Sequence, residues 1–524
     1  MKTLYYGGNI ITMADQLYTE AVIIEDGKII AVGKESELKD LGADKCIDLC
    51  GATMLPSFID AHSHLTEHAE ALLQVNLEDV SDFETMKNAI RDFISENAIP
   101  CGEWVVARNY DNELFPNAKK PTIEELDSIC PDHLLLIKHS SCHMGLCNSR
   151  VFDHFGITPK TPDPKCGCYV KENGKLTGCL EETACTNIRM RIPAPTTEKL
   201  CHAHIKMQHI YASYGITTAN DGYLGSHMID VYRKLLDENE MKLDLYSFVH
   251  IPHYERIKTA FDAKIETNDK IRIGGIKQYL DGSISARTAW MRKPYLNSDG
   301  FCGYPQRSDE EVVETMRYAA RNNLQIIYHS IGDAANEQFV RCLELAEKEY
   351  PNLKELRPTL IHAFFMDKEM LEKASKLGAV ISFLQGDIYY SGDSFIRVLG
   401  KERVNTLCAA RTAIECGTHI TLHTDAPVIK PDILFAVWCA AARKTRNGVH
   451  LDGEEISVLD ALRAVTIEGA YQYFEEDVKG SIEVGKRADL VILDKDPLNV
   501  PIDDIKDIKV LETIKDGETI FKRF

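Results

Sequence analysis

No run of the chain approaches the roughly 18 apolar residues that a membrane-spanning helix needs. Basic clusters interleaved with aromatics are missing too, and a formal net charge of −20 disfavours any phosphate-binding surface. Neither a membrane nor a nucleic acid is therefore an expected partner. No G-x-G-x-x-G follows an apolar strand, which removes the dinucleotide-binding reading. Internal repeats and low-complexity tracts are also absent. The first residues, Met1-Lys2-Thr3-Leu4-Tyr5-Tyr6, run into strand-like sequence without the apolar core or cleavage site of an export signal. Sixteen cysteines are scattered along the chain, several alone on apolar stretches (Cys342, Cys408, Cys439). Reduced thiols and a cytoplasmic protein are the expectation. Cys166-Gly-Cys168 and the pair Cys142/Cys147 lack partners at zinc-finger spacing and are read as plain thiols.

What is present is an ordinary globular composition, 44% apolar and 27% charged, in 524 residues. That length holds one large barrel plus additions. The first ~55 residues are short strand runs with an Asp26-Gly27 turn, a hairpin signature. Leu490–Leu493, Ile508–Ile514, Asp516-Gly517 and Thr519–Lys522 repeat that texture at the far end. Residues 1–53 and 478–524 are accordingly expected to build one composite β-sandwich. Between them, residues 54–477 alternate strand and helix, which implies α/β architecture with a parallel sheet. Candidate strands are 54–60, 216–220, 244–250, 272–280, 324–328, 358–361, 379–383 and 420–424. Eight suit a (β/α)₈ TIM-like barrel. Ser308-Asp-Glu-Glu311 predicts a capping box opening a helix over 309–322, and Asp367 predicts a cap for a helix stopped by Gly378. The gap between the first two strands is too long for a crossover, so residues 66–200 read as an insertion that would roof the site.

Chemistry concentrates at the ends of these strands. Leu55-Pro-Ser-Phe-Ile-Asp-Ala-His62-Ser-His64 ends an apolar run with two histidines at i and i+2, which point the same way on a strand. Lys277 sits inside the apolar strand Ile273–Gly282, and His329 and His362 each end the next two strands. Ile420-Thr-Leu-His-Thr-Asp425-Ala-Pro427 ends the last with a carboxylate. Four histidines, a lysine and an aspartate at the strand tips of one barrel are hard to explain by packing. Buried polar groups need partners, and a metal supplies them. By contrast His202 and His204 share H-x-H spacing but lie in a helical pattern, where i and i+2 diverge.

The order His-x-His, Lys277, His329, His362 and Asp425 resembles the amidohydrolase superfamily. Within it the chain is similar to the YtcJ-like branch (amidohydrolase family 3), which includes N-substituted formamide deformylases. The similarity spans nearly the whole chain, through Asp26–Gly33, Trp104–Asp111, His143–Arg150, Lys277–Ala289, His329–Asp333 and Gly480–Val491. Thr424 stands where the branch more often has serine, and His423 adds an imidazole beside the site. The resemblance implies that His62 and His64 bind one ion and His329 and His362 a second. Lys277, carboxylated by CO₂, would bridge the two ions with its carbamate. A free ammonium repels a cation, so the lysine must be modified or neutral; the plain alternative is a lysine paired with Asp281. Two Zn²⁺ per chain are expected, with Mn²⁺, Fe²⁺ or Co²⁺ fitting the same donors. A bridging hydroxide would attack a carbonyl while Asp425, a ligand of the first ion, takes the proton and passes it to the leaving amine.

His143, Arg287 and Tyr110 are the candidate substrate contacts. Arg287 could pair with a substrate carboxylate, although an intramolecular ion pair is the plainer expectation. The implied activity is hydrolysis of an amide- or formamide-type C–N bond, other than a peptide bond, in a small organic molecule. A mononuclear heterocycle deaminase is the rival; it would carry a glutamate shortly after the strand-5 histidine, where this chain has Ser-Ile-Gly-Asp333. An inactive barrel kept as a binding protein would have lost ligands that are all present. A homodimer is implied only at superfamily level.

Overall fold

The structure, a computed structural model, describes residues 1–78, 80–140, 143–262 and 270–523, so Cys142 lies outside the described residues. The chain forms two compact units: residues 1–68 with 204–524, and residues 69–203.

The first unit is built on eight strands: β1 (Phe58–Ile59), β2 (Ile216–Asp221), β3 (Asp244–Val249), β4 (Ile271–Tyr279), β5 (Gln325–Ser330), β6 (Thr359–His362), β7 (Val380–Phe383) and β8 (Ile420–Leu422). They form one all-parallel sheet in which each strand pairs with its neighbour in the chain. Strands β3, β6 and β7 are buried along their whole length, as strands covered on both faces must be. Among the described residues β1 and β8 share no ladder. Their tips are tied instead by Asp425 N–H donating to His62 C=O at 2.9 Å and His64 N–H donating to Ala426 C=O at 2.7 Å. The result is a TIM-like barrel sheet whose seam is bridged at its C-terminal rim.

The helices begin and stop where the sequence places them. α1 (Asp309–Arg321) is capped by Ser308, which exchanges hydrogen bonds with Glu311 in a complete capping box. α2 (Lys368–Lys376) is capped by Asp367, which accepts from Met370 N–H. Gly378 beyond it has φ +70°, and a Cβ there would lie 2.7 Å from the Lys354 carbonyl oxygen, so only glycine fits.

One expected strand divides. Residues 54–60 read as a single barrel strand, but Thr53–Pro56 pairs antiparallel with Leu490–Leu493, and only Phe58–Ile59 enters the barrel sheet. Ser57 between them donates to the Asp489 carbonyl. Thr53–Pro56 thereby joins an eight-stranded sheet to which both termini contribute, in the order 518–522, 510–515, 490–493, 53–56, 3–11, 18–25, 28–33, with Lys45–Asp48 beside Thr3–Ile11. Tyr5, Val22 and Ile24 pack with Ile482 and Leu490, while Leu4, Ala21 and Ile23 pack on Leu38.

The second unit has its own six-stranded sheet, ordered 167–172, 175–182, 144–147, 134–139, 104–110, 75–76, with cores of its own. Every described cysteine is a free thiol. No described helix is long and apolar enough to cross a membrane.

Candidate metal centre

Six side chains from five strands meet at the C-terminal rim of the barrel sheet. His62 and His64 follow β1, Lys277 lies in β4, His329 in β5, His362 ends β6, and Asp425 follows β8. Lys277 Nζ lies 2.9 Å from His62 Nε2. Asp425 Oδ1 lies 3.6 Å from His62 Nε2 and 3.4 Å from His64 Nε2, and Oδ2 lies 4.0 Å from His362 Nε2. The His329 and His362 rings are 4.7 Å apart between centroids. His362 and Asp425 have φ of 73° and 54°, left-handed values that an L side chain adopts at a cost. Such backbone strain collects where side chains must be aimed.

Outer hydrogen bonds determine which ring nitrogen faces inward. Asn220, at the end of β2, donates its Nδ2 to the Tyr473 hydroxyl at 3.0 Å, and that hydroxyl donates to Ala61 C=O at 2.6 Å. The Asn220 amide oxygen is thus turned toward His62 Nδ1, 3.0 Å away. An amide oxygen only accepts, so His62 carries its proton on Nδ1 and keeps a lone pair on Nε2. His329 donates Nε2–H to the Gly282 carbonyl at 3.1 Å, which frees Nδ1. This is the outer support that metal-ligating histidines require.

Electrostatics completes the donor set. Burial lowers His62 and His362 well below the usual histidine range and His329 to about 4, so the imidazoles are neutral. Burial also pulls the Lys277 ammonium down to about 8. For Asp425 burial works the other way, but His362 and His64 outweigh it and keep the carboxylate ionised. Asp425 Oδ1 is buried and has no hydrogen-bond partner among the described residues. An anionic oxygen left bare among neutral imidazole nitrogens fits a divalent cation, and His, carboxylate and amine-derived donors suit zinc-like ions.

The pairing of Lys277 with Asp281 is not formed. Asp281 accepts instead from the backbone N–H groups of Trp290, Ile331 and Gly332, all within 2.9 Å. Among the described residues Lys277 makes no ion pair. Arg287 lies in the loop after β4 with φ 57°, and the expected ion pair to it is likewise not formed among the described residues. His143 and Tyr110 belong to the second unit. His143 is exposed and lies 3.0 Å from Glu182 Oε2; Tyr110 is buried against Phe115 and His139. Asn220 and the Gly282 carbonyl, which orient the rings, carry no signal that the sequence reading used. The same holds for Asp60, which accepts from both the N–H and the hydroxyl of Thr424 beside Asp425.

A parallel barrel sheet with a metal-competent cluster on its C-terminal rim defines the class. The chain belongs to the amidohydrolase family, whose sequence profile matches residues 45–521. It is 27% identical to YtcJ of Bacillus subtilis (strain 168), an amidohydrolase by name, over 540 residues that cover 100% of both chains. Its identity to the N-substituted formamide deformylase of Arthrobacter pascens is 26%, covering 96% of this chain and 95% of that protein. An uncharacterized metal-dependent hydrolase from Pyrococcus furiosus shares the fold, with a TM-score of 0.78 at 24% identity over 95% of this chain and 100% of that one.

Proposed function

We propose that the chain is a metal-dependent hydrolase that cleaves an amide- or formamide-type C–N bond in a small organic molecule, with Asp425 as the proton carrier. The bare Asp425 Oδ1, 3.4–3.6 Å from the Nε2 atoms of His62 and His64, carries this reading. The formamide deformylase among its relatives supports the C–N bond as target. His62, His64 and Asp425 would hold one divalent cation; His329 and His362 would hold a second; Lys277, as its carbamate, would bridge them. Bound there, such cations supply Lewis acidity that makes water a nucleophile near neutral pH and polarises a carbonyl. Zn²⁺ suits the donors best, and Mn²⁺, Fe²⁺ or Co²⁺ are admissible.

The remaining work falls to the chain. The Lys277 amine, neutral once its ammonium proton is lost, would form the N–C bond to CO₂ as one C=O π bond opens onto oxygen; a further N–H proton then leaves to solvent, and the carbamate is an anionic oxygen donor. Asp425 stays ionised, accepts the proton of the attacking water and delivers it to the departing nitrogen. Arg287, half-exposed and without an ion pair among the described residues, would take an anionic group of the substrate. His143, exposed, is kept as a proposed substrate contact; Tyr110, buried in the core of the second unit, offers no surface to a ligand and is not kept as one.

Asp425→Asn keeps the size and an oxygen donor but cannot carry the proton. Turnover of formamides or N-acyl amino acids should fall about 10²–10⁴-fold, with zinc content close to wild type. Full activity in that variant would remove Asp425 from the chemistry.

A further inference from the structure

We propose that His423, an imidazole outside the ligand set, is a positioning residue that prepares His362 to bind metal. His423 Nε2 lies 3.1 Å from His362 Nδ1, and Ser382 Oγ lies 2.8 Å from His423 Nδ1. His423 and Ser382 are fully buried, so no water competes for these bonds. His362 can offer its Nε2 lone pair only in the tautomer with hydrogen on Nδ1. That hydrogen needs an acceptor, and His423 Nε2 is the one in reach. His423 then carries its own hydrogen on Nδ1 and donates it to the Ser382 oxygen. The three side chains form one directed chain, Ser382–His423–His362, which ends in a lone pair facing Asp425.

Ring orientation follows from the same bonds. The His362 ring has His329 at 4.7 Å and His423 at 5.1 Å, centroid to centroid, both inclined to its plane, so neighbouring rings restrict its rotation. Without His423 the Nδ1–H would be a buried donor with no partner. The ring would then favour the tautomer with hydrogen on Nε2, where it blocks the metal. Carboxylates and carbonyls usually serve as such outer partners. A neutral imidazole backed by a serine does so here without adding a negative charge.

This inference rests on His362 being a metal ligand, and the experiment separates the two. Zinc affinity of the stripped full-length chain is measured by chelator competition for wild type, His362→Ala, His423→Phe, His423→Asn and His423→Gln. The glutamine amide spans both partners; the asparagine is too short to do so. His423→Phe and His423→Asn should weaken zinc about 10–100-fold, and His423→Gln should recover most of that loss. The visible d–d absorption of the Co²⁺-loaded protein should shift in His423→Phe, which loss of packing alone would not cause. Wild-type affinity in His362→Ala would remove His362 from the ligand set and this inference with it. A loss in His362→Ala with wild-type affinity in His423→Asn would overturn the positioning role alone, and so would equal losses in the asparagine and glutamine variants. If His423→Phe does not fold, the asparagine–glutamine comparison decides.

Discussion

Lys277 shows most directly how environment converts a residue type into a function. A lysine at 1% exposure, with Nζ 2.9 Å from an imidazole nitrogen and no carboxylate partner among the described residues, is a poor place for a cation. The burial that lowers its basicity favours the neutral amine, the form that in the proposed reading would add CO₂ and exchange a positive charge for a negative one. A methionine would keep the volume and lose the donor; a glutamate would restore two oxygens on a shorter stem. Lys277→Met should therefore lower bound zinc by about one ion per chain, whereas Lys277→Glu should retain both, by metal analysis after gel filtration. Equal zinc in wild type and the methionine variant would remove the bridge.

At the strand tips, backbone shape matters as much as side-chain identity. Gly222 directly follows β2, and its N–H donates to Ser63 C=O at 2.8 Å. A Cβ on Gly222 would stand 2.3 Å from His62 Cε1 and 3.1 Å from His64 Cε1. The two tips approach so closely that only a hydrogen fits between backbone and imidazoles. Gly222→Ala should push both rings aside, cutting zinc affinity and turnover while the far-UV circular dichroism is unchanged; undisturbed affinity would show that the rings have room to yield. The proposed ligands stand out in the sequence because each interrupts or ends an apolar run: Lys277 in β4, His329 after Leu-Gln-Ile-Ile-Tyr, His362 after Thr-Leu-Ile. Asn220 could not, since β2 reads Ile-Thr-Thr-Ala-Asn-Asp and one more polar group draws no attention there. Ser382 is a lone hydroxyl in Val-Ile-Ser-Phe, which a backbone carbonyl could satisfy just as well. The run Met54–Ile59 looks continuous because both halves are buried. Which sheet each half joins depends on Leu490–Leu493, far along the chain, and no local pattern contains that.

The barrel sheet and the terminal sheet are locked together by charge as well as by apolar contact. Asp244 opens β3 at 2% exposure, facing Lys479 and Lys515 at 1% and 3%. Its carboxylate pairs with Lys479, with Lys515 at 3.0 Å and with Arg487 at 3.2 Å, and Lys515 also reaches Asp489 at 2.9 Å. Lys479 reaches Glu475 at 2.7 Å as well. Burial alone would raise the Asp244 carboxyl; Lys479, Lys515, Lys270 and Arg487 outweigh it and hold it below the ordinary carboxylate value. A group whose folded value lies below its unfolded one adds stability above the unfolded value, about 4, and loses it as the pH falls further. Asp244→Asn removes the anion and leaves Lys479 and Lys515 short of a partner in a buried site. The expected loss is about 3–5 kcal/mol at neutral pH, a large share of the roughly 5–15 kcal/mol typical of a folded domain. Urea midpoints of metal-stripped protein should then differ most near pH 7, and the gap between wild type and Asp244→Asn should narrow as the pH drops below about 4. A midpoint in the variant equal to wild type at pH 7 would mean that apolar packing alone joins the two sheets, with the buried charges merely tolerated.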